Sequence, residues 1–271
     1  VESKIDTDYE TNIEALAANG SELVIAVGLG MDEPVKRVAA KFPDVKFAIV
    51  DGEASGDNVA ALKFKEEEGS FLAGFLAARV SKTKKLGFVG GMEIGLIKKF
   101  EYGFRAGAYL ADPTVTVLGA KYTMNWDSTD KGKASAAALF GEGADIVYHA
   151  AGRAGLGVIK AAEEAGKFAI GVDSDQDDIA PGFVLTSMVK RVDEAVFQTI
   201  KKTQEGAYAA GVTTYDVKTG GISLTDMRHT KDKIDAKILD DLEAVKADLL
   251  AGKFTIPVDA AGFDSFKQSQ M

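Results

Sequence analysis

The feature that most constrains the fold is the alternation of short apolar runs with longer runs of helical period. The apolar runs are continuous, which is typical of strands buried on both faces of a sheet. Repeated β-then-α order predicts parallel sheets joined by right-handed crossovers. The predicted strands are 23–27, 46–50, 86–89, 115–118, 145–148, 168–172 and 183–186.

Helices are predicted between these runs. The segment Asp32-Glu33-Pro34 offers a capping residue and a first-turn proline for one of them. Phe100, Phe104 and Ala108 recur at fourfold spacing, which indicates the buried face of a helix over 96–110. The remaining predicted helices are 66–80, 130–140, 156–165, 192–205 and 236–250.

The number of strands predicts two sheets, because a single open sheet of this width is uncommon. We expect an α/β fold with two doubly wound parallel-sheet lobes and a hinge. The expected lobes are 1–112 plus about 190–271, and about 113–189, with strands near 113–126 and 184–190 crossing between them. A cleft between two hinged lobes is a natural site for a ligand.

Composition excludes several classes of function. The chain of 271 residues carries a net charge of −9 and no extended Lys/Arg block, so no nucleic-acid partner is predicted. It contains no cysteine, which excludes disulfides, thiolate catalysis and Cys-based zinc sites. No apolar run reaches the roughly 18 residues that a membrane-spanning helix requires.

Two motifs resemble cofactor or metal sites but carry other residues at positions that those sites require. The turn at Gly28–Gly30 follows a strand, but Glu33 occupies the third glycine position of a dinucleotide fingerprint. The acidic run 173–178 resembles the start of a calcium loop, but Asp178 replaces its glycine and Val184 its final glutamate. The sequence therefore predicts no cofactor and no metal.

Ligands of doubly wound folds bind at the carboxyl ends of the strands, where this sequence places several polar and aromatic side chains. Each one also has a structural interpretation: a strand-end Asp is often a helix cap, and a single Trp is often a core residue. Their coincidence at strand ends favours a binding site. The candidate ligand-binding residues are Asp51, Trp126, His149, Gly152, Asp173, Asp175 and Lys190.

These residues suit a small polar ligand with vicinal hydroxyls, such as a ribose or hexose. Carboxylates of Asp173 or Asp175 accept hydroxyl hydrogen bonds, and Lys190 donates them. The indole of Trp126 offers a stacking face worth about 1–3 kcal/mol for a base. Gly152 opens a turn into a helix whose N–H groups suit a ligand oxygen. Two interpretations of His149, as a cleft residue or as a packing residue, remain open.

Segments spread in order along most of the chain carry a family resemblance. They include Phe47 to Asp51, Phe64 to Gly69, Phe71 to Gly74, Gly87 to Met92, Phe100 to Phe104, Trp126-Asp127, Lys131 to Lys133, Gly143 to Asp145, Ala150 to Gly152, Gly171 to Gln176, and Leu185 to Ser187 with Lys190. On these segments the chain resembles the basic-membrane-protein, or purine-nucleoside-receptor, family of ABC-transporter substrate-binding lipoproteins.

The resemblance implies a type I periplasmic-binding-protein-like receptor that binds a purine nucleoside (inosine, guanosine or adenosine) without turnover and delivers it to a membrane permease. It implies pocket roles for Asp51, Trp126, Asp173 and Lys190, with Trp126 where relatives carry a stacking Phe. Whether Asp173 or Asp175 is the direct ligand stays open. We expect an extracytoplasmic, lipid-anchored monomer.

Two departures from the family pattern stand out. Arg153 occupies a position where relatives usually carry a second glycine. The family's first strand and helix, with an Asp-x-Gly-Gly turn and a Ser-Phe-Asn segment, have no counterpart in these 271 residues. We expect the native protein to carry this βα unit and the lipid anchor in an N-terminal segment.

Two other functions fit the same fold. A cytosolic ligand-sensing regulator would need a DNA-binding module in addition to this chain. A nucleoside-processing α/β enzyme could use the strand-end carboxylates as acid and base. No nucleophile, cofactor motif or metal cluster accompanies those carboxylates in the sequence, so a non-enzymatic receptor is the prediction.

Overall fold

The computed structural model describes residues 1–3, 5–28 and 30–270. Lys4 and Met271 lie outside the described residues, as does Leu29 of the Gly28–Gly30 turn. The chain divides into two compact units, and each is built from two separate stretches. Unit 1 comprises Val1–Phe64 and Arg191–Tyr215, and unit 2 comprises Lys65–Lys190 and Asp216–Met271.

Strands and helices alternate along most of the chain. The strands are β1 Leu23–Val27, β2 Lys46–Val50, β3 Val59–Phe64, β4 Lys85–Gly90, β5 Thr116–Val117, β6 Lys121–Tyr122, β7 Ile146–Ala150, β8 Phe168–Asp173, β9 Val184–Lys190, β10 Gly211–Tyr215 and β11 Ile222–Leu224. The α-helices are α1 Asp8–Ala18, α2 Asp32–Lys41, α3 Glu66–Val80, α4 Gly95–Ala111, α5 Thr129–Gly141, α6 Gly155–Ala165, α7 Val192–Gln204, α8 Ala236–Leu250 and α9 Ala260–Ser269.

Unit 1 contains a four-stranded parallel sheet in the order β1-β2-β3-β10. Alternate residues of its strands, such as Phe47 and Ile49, pack with α1 and α2 in one apolar cluster. The residues between them, such as Ala48 and Val50, are also fully buried, and α7 packs against β1 and β2. Burial on both faces explains why β2 is a continuous apolar run.

Unit 2 contains a seven-stranded sheet in which β11, β9, β8, β7, β4 and β5 follow one another and β6 also pairs with β4. All strands except β11 run parallel. On one face, residues of α5 and α6 such as Leu139 and Val158 pack with Val147. On the other face, Tyr148 packs against Phe88 and Phe104 and hydrogen-bonds Ser70 of α3 at 3.0 Å.

Helices α3 and α4 cross so closely that their glycines touch backbone. A methyl group added to Gly107 would lie 1.8 Å from the carbonyl oxygen of Phe71, and one added to Gly74 would lie 2.0 Å from that of Phe104. Neither position tolerates a Cβ without separating the helices, because packed interiors have little free space. These two helices form the layer that covers one face of the unit 2 sheet.

The α/β class with parallel-sheet lobes is confirmed, and the observed division corrects the predicted lobes. The segment 65–112 belongs to unit 2, because β4 pairs with β7 in register from Leu86 and Ile146. The strands near 113–126 pair with β4 and therefore stay within unit 2. The C-terminal helices α8 and α9 pack against α3 and α4, so they belong to unit 2 rather than to the first lobe.

Two local predictions also needed correction. Asp32 does not cap α2; the helix begins at Asp32 itself, and its carboxylate accepts the backbone N–H of Glu53. The strand expected at 115–118 is only the two residues of β5. The sequence pattern did not predict β3, β10 and β11, because none of them is a continuous β-branched run.

The close crossing of α3 and α4 makes a matched pair of glycine variants informative. Gly107→Ala should lower the free energy of unfolding by about 1–3 kcal/mol or more, because its methyl group meets the Phe71 carbonyl. Gly95→Ala in the same helix has nothing within 4 Å and should stay within about 0.5 kcal/mol of wild type. Urea unfolding measures both; equal effects of the two substitutions would contradict the assignment of this crossing.

Candidate functional site

The parallel strands of unit 2 end at one edge of the sheet, and this carboxyl edge gathers most of the candidate residues. Asp173 is the last residue of β8, and Lys190 is the last residue of β9. Trp126 follows β6, and Gly152 follows β7. Asp51 follows β2 and therefore lies at the corresponding edge of unit 1.

Asp51 and Asp173 share an uncommon backbone conformation. Their φ angles are +65° and +67°, in the left-handed region that few residues other than glycine occupy. Each lies at the end of a buried strand that contains Phe-Ala-Ile, since Asp51 directly follows β2 and Asp173 is the last residue of β8. The two units therefore present an aspartate in a similar way. Such conformations concentrate at functional sites, where the surrounding fold holds the strained residue in place. Asp173 is exposed, and Asp51 is half-buried.

Trp126 is held by a hydrogen-bonded turn. Asn125 begins the turn, since its side-chain oxygen accepts the backbone N–H groups of Asp127 at 2.9 Å and Ser128 at 2.7 Å. The carbonyl of Trp126 accepts the N–H of Ala154 at 2.8 Å, which ties this turn to the start of α6. The backbone of Trp126 is therefore held by both the turn and the start of the neighbouring helix.

The ring of Trp126 lies on Gly91, which directly follows β4. A methyl group added to Gly91 would be 2.1 Å from the indole, so only glycine allows this contact. A methyl group added to Gly152 would also reach the indole, at 3.5 Å. The side chain stays half-buried, with the rest of its surface available to a stacking partner.

Lys190 belongs to a group of three charges, of which two are buried. Its side chain is 4% exposed, and its Nζ lies 3.1 Å from Oε1 of Glu66, whose side chain is 1% exposed. The other carboxylate oxygen of Glu66 accepts a hydrogen bond from Lys99 at 3.3 Å. Buried charges are tolerated when each finds an opposite partner, and here one carboxylate serves two ammonium groups from β9 and α4.

His149 is fully buried in β7, which favours the packing interpretation over direct ligand contact. Its Nε2 lies 3.0 Å from Oε1 of Gln176, and that oxygen also accepts the backbone N–H of Val172 at 2.9 Å. Because the Gln176 oxygen can only accept hydrogen bonds, the imidazole must donate from Nε2. Nε2 therefore carries the ring proton, and Nδ1 is unprotonated. Nδ1 faces the Cα of Gly155 and has no hydrogen-bond partner among the described residues.

Burial lowers the pKa of His149 to about 4, and the hydrogen bond with Gln176 opposes this shift only in part. The imidazole is therefore neutral at physiological pH. A neutral, enclosed ring is suited neither to binding an anion nor to proton exchange with a ligand. The structure thus separates His149 from the other candidate residues on the carboxyl edge.

Asp175 is exposed, and its hydrogen bonds stabilise the loop that follows Asp173. One carboxylate oxygen accepts the backbone N–H of Asp177 at 3.0 Å, and the other accepts a hydrogen bond from Arg228 at 3.0 Å. Arg228 also donates to Asp178 at 3.1 Å. These contacts link the 173–178 loop to the segment around Arg228.

A buried polar network that the sequence analysis missed lies beneath the same loop. Ser187 Oγ accepts the backbone N–H of Gln176 at 3.0 Å and donates to Asp177 at 3.2 Å. Thr225 also donates to Asp177, at 3.2 Å. Desolvation raises the pKa of Asp177. The network fixes the end of β8, and therefore Asp173, against β9.

Glu66, Lys99 and Gln176 are the important residues near this edge that the sequence analysis did not single out. Glu66 and Gln176 lie inside segments that carry the family resemblance, and that resemblance was the only sequence signal that could have pointed to them. Within residues 1–3, 5–28 and 30–270, no group of three His, Asp or Glu side chains is arranged to hold a metal ion. In the same described ranges, no helix combines the length and apolar character needed to cross a bilayer.

A family model for PnrA-like ABC transporter substrate-binding proteins, called Bmp, matches residues 1–258 of this chain. The chain belongs to this family. An ABC transporter nucleoside-binding protein, BmpA, from Lactococcus lactis subsp. cremoris (strain MG1363) is 34% identical over 275 residues, covering 94% of this chain and 77% of the relative.

Solved structures agree with this membership. A solute-binding protein of an ABC transporter system from Aeropyrum pernix K1 superposes with a TM-score of 0.87 at 26% identity, covering 97% of this chain and 85% of that one. A structure described as a transcriptional activator of the comK gene from Bacillus halodurans has a TM-score of 0.80 at 26% identity, covering 91% and 84%. The type I periplasmic-binding fold is therefore shown.

The buried histidine predicts a pH dependence of stability. The pKa of His149 is about 4 in the folded protein against an ordinary value of 6.5, so the unfolded state binds the extra proton between these values. The free energy of unfolding should therefore fall as pH decreases from about 6.5 towards 4. His149→Gln should flatten this slope in urea unfolding at pH 4.5–7.

The control is His229→Gln, which removes the only other histidine and leaves the contribution of His149 in place. An unchanged slope in His149→Gln would contradict the buried, neutral state of this ring.

Proposed function

We propose that this family member binds a purine nucleoside at the carboxyl edge of unit 2, without chemical change, and delivers it to the permease of an ABC importer. The observation that carries the proposal is the placement of Asp173 and Lys190 on neighbouring strands, with Trp126 at the same edge. In the β8–β9 pairing Asp173 lies opposite Val189, so Lys190 is one residue further along. The nucleoside-binding name of a 34% identical relative supports this ligand class.

Asp173 and Lys190 are proposed to hold the ribose. A carboxylate accepts hydrogen bonds from two vicinal hydroxyls, and an ammonium group donates to a hydroxyl or ring oxygen. Asp173 is a better candidate than Asp175 for this contact. Asp173 is the last residue of its strand and is held in a left-handed conformation at the carboxyl edge. Asp175 lies in the loop beyond it, where its carboxylate contacts the backbone of Asp177 and the guanidinium of Arg228.

Trp126 is proposed to stack on the purine. One part of its ring is fixed on Gly91, so the indole would not have to be ordered when the ligand binds. Pre-ordering of a side chain reduces the entropic cost of association. Gly152, which adjoins the ring and opens the turn before α6, would offer its backbone N–H to the ligand. A contribution of Asp51 from unit 1 remains a prediction from the family resemblance.

Absence of turnover is part of the proposal. His149 of β7 is buried and neutral, with a pKa of about 4, so it is poorly placed as a general base or acid. An extracytoplasmic location, a lipid anchor and a monomeric state are proposed on the basis of family membership alone.

A ligand-sensing regulator is the second candidate, because a solved structure at 26% identity is described as a transcriptional activator. Cell fractionation separates the two functions. The receptor proposal expects the native protein in the membrane or extracytoplasmic fraction, and a regulator would be found in the cytosol. Recovery in the cytosol alone would reject the receptor.

The nucleoside assignment is tested by thermal shift with inosine, guanosine, adenosine, free purine bases and common sugars, on protein with its natural termini. Ligand at 100 times its dissociation constant stabilises a protein by about 2.7 kcal/mol, which moves the midpoint clearly. Chromatography of inosine after overnight incubation should show no product. No shift with any nucleoside would reject the assignment, and hypoxanthine or ribose products would reject the receptor in favour of an enzyme.

Asp173→Asn should weaken inosine binding about 10- to 100-fold, since hydrogen bonds to a charged group are worth about 1.5–3 kcal/mol. Asparagine is chosen because it tolerates the left-handed backbone of Asp173 better than alanine does. Isothermal titration calorimetry measures the affinity. Asp175→Asn is the matched control and should change the affinity less; a reversed order would make Asp175 the ribose ligand.

Trp126 is the only tryptophan in the chain, so it reports on the site by its own fluorescence. Inosine should change its emission, because the purine stacks on the indole. Trp126→Ala should weaken inosine binding about 10- to 100-fold, the value of about 1–3 kcal/mol for one base stack. Trp126→Phe should retain most of the affinity. Unaltered emission at saturating inosine would remove Trp126 from the site.

A further inference from the structure

Glu66 is a buried carboxylate that no ligand role explains. It is the first residue of α3, and its side chain is 1% exposed. One oxygen lies 3.1 Å from Nζ of Lys190, and the other accepts a hydrogen bond from Lys99 of α4 at 3.3 Å. Both oxygens are therefore committed to cations of this chain.

The helices that carry Glu66 and Lys99 are closely packed. A methyl group added to Gly103 of α4 would lie 2.3 Å from the carbonyl oxygen of Glu67, so the first turn of α3 touches the backbone of α4. Glu66 and Lys99 therefore belong to two helices whose backbones are in direct contact. A carboxylate held between two closely packed helices gives a fixed position to any ammonium group that pairs with it.

Lys190 needs this kind of support. Its ammonium ends a flexible four-carbon chain, and its side chain is 4% exposed, so the charge must be paired to stay buried. Removal of one partner of a buried ion pair leaves an uncompensated charge, which is costly. Without Glu66, Lys190 would lose the buried carboxylate that lies 3.1 Å from its ammonium group.

We propose that Glu66 is a positioning residue, which holds the ammonium of Lys190 charged and oriented at the carboxyl edge, and that Lys99 holds Glu66 in turn. This inference rests on the proposed function, because it assigns Glu66 an effect on ligand binding that acts through Lys190. The neighbouring Glu68 differs, since it binds Lys65 at 2.9 Å and the backbone N–H of Val217 at 3.1 Å.

A double-mutant cycle with inosine as the probe tests the proposal. The dissociation constant is measured by calorimetry for wild type, Glu66→Gln, Lys190→Met and the double variant. Glu66→Gln should weaken binding about tenfold or more, in line with about 1.5–3 kcal/mol for a hydrogen bond to a charged group. In the Lys190→Met background the same substitution should have no further effect, because the residue through which it acts is gone.

Three further variants sharpen the cycle. Glu66→Asp restores a carboxylate and should recover part of the affinity lost in Glu66→Gln. Glu68→Gln is the matched control in the same helical turn and should bind inosine within about twofold of wild type. If Glu66→Gln fails to fold by circular dichroism, Lys99→Gln replaces it. That variant should give a smaller loss that also disappears when Lys190 is methionine.

The outcomes separate this proposal from the function on which it rests. Wild-type affinity in Glu66→Gln, with a clear loss in Lys190→Met, would overturn the positioning role and leave the nucleoside site intact. Additive losses in the double variant would show that Glu66 acts independently of Lys190 and would also overturn it. Wild-type affinity in Lys190→Met would instead remove Lys190 from the proposed ribose contact.

Discussion

The common direction of the strands is the constraint on which the rest of this structure depends. In unit 2 every strand except the short β11 runs parallel, so the chain leaves each strand at the same edge of the sheet. Residues far apart in sequence, such as Trp126 and Lys190, therefore lie along the carboxyl edge of this sheet. A parallel sheet must also be covered on both faces, and the helices that do so supply the supporting residues.

The helix layers determine which side chains reach that edge. Glycines at the crossing of α3 and α4 bring the two backbones into contact, and this contact places Glu66 and Lys99 around Lys190. On the opposite face, Gly155 lies directly against the imidazole of His149. Glycines therefore allow the pairing of Lys190 with Glu66 at the carboxyl edge of unit 2. They also allow α6 to pack directly on the imidazole of His149, which buries that ring.

The sequence predicted the α/β class and most strands because burial on both faces leaves a strong local signal, as in 46–50 and 168–172. It could not predict the lobe boundaries, because the order of strands along the chain does not reveal which strands pair. Only the pairing of β4 with β7 shows that 65–112 belongs with the second sheet.

The candidate site was predictable to a similar extent. Strand-end position selected Asp173, Lys190 and Trp126 as candidates, and the structure places all three at the carboxyl edge of unit 2 because its parallel strands end there together. The burial of His149 was not predictable, because it depends on a helix residue that packs on the ring. The pairing of Glu66 with Lys190 joins residues 124 positions apart in the chain, and nothing local in the sequence signals it.

A crystal structure of the protein with inosine bound would test the proposed site directly. We expect the ribose hydroxyls within hydrogen-bond distance of Asp173 and Lys190, and the purine stacked on Trp126. We also expect Glu66 to remain paired with Lys190 beside the ligand. Inosine bound away from the carboxyl edge of unit 2, or a ribose held by other residues, would reject the proposed site.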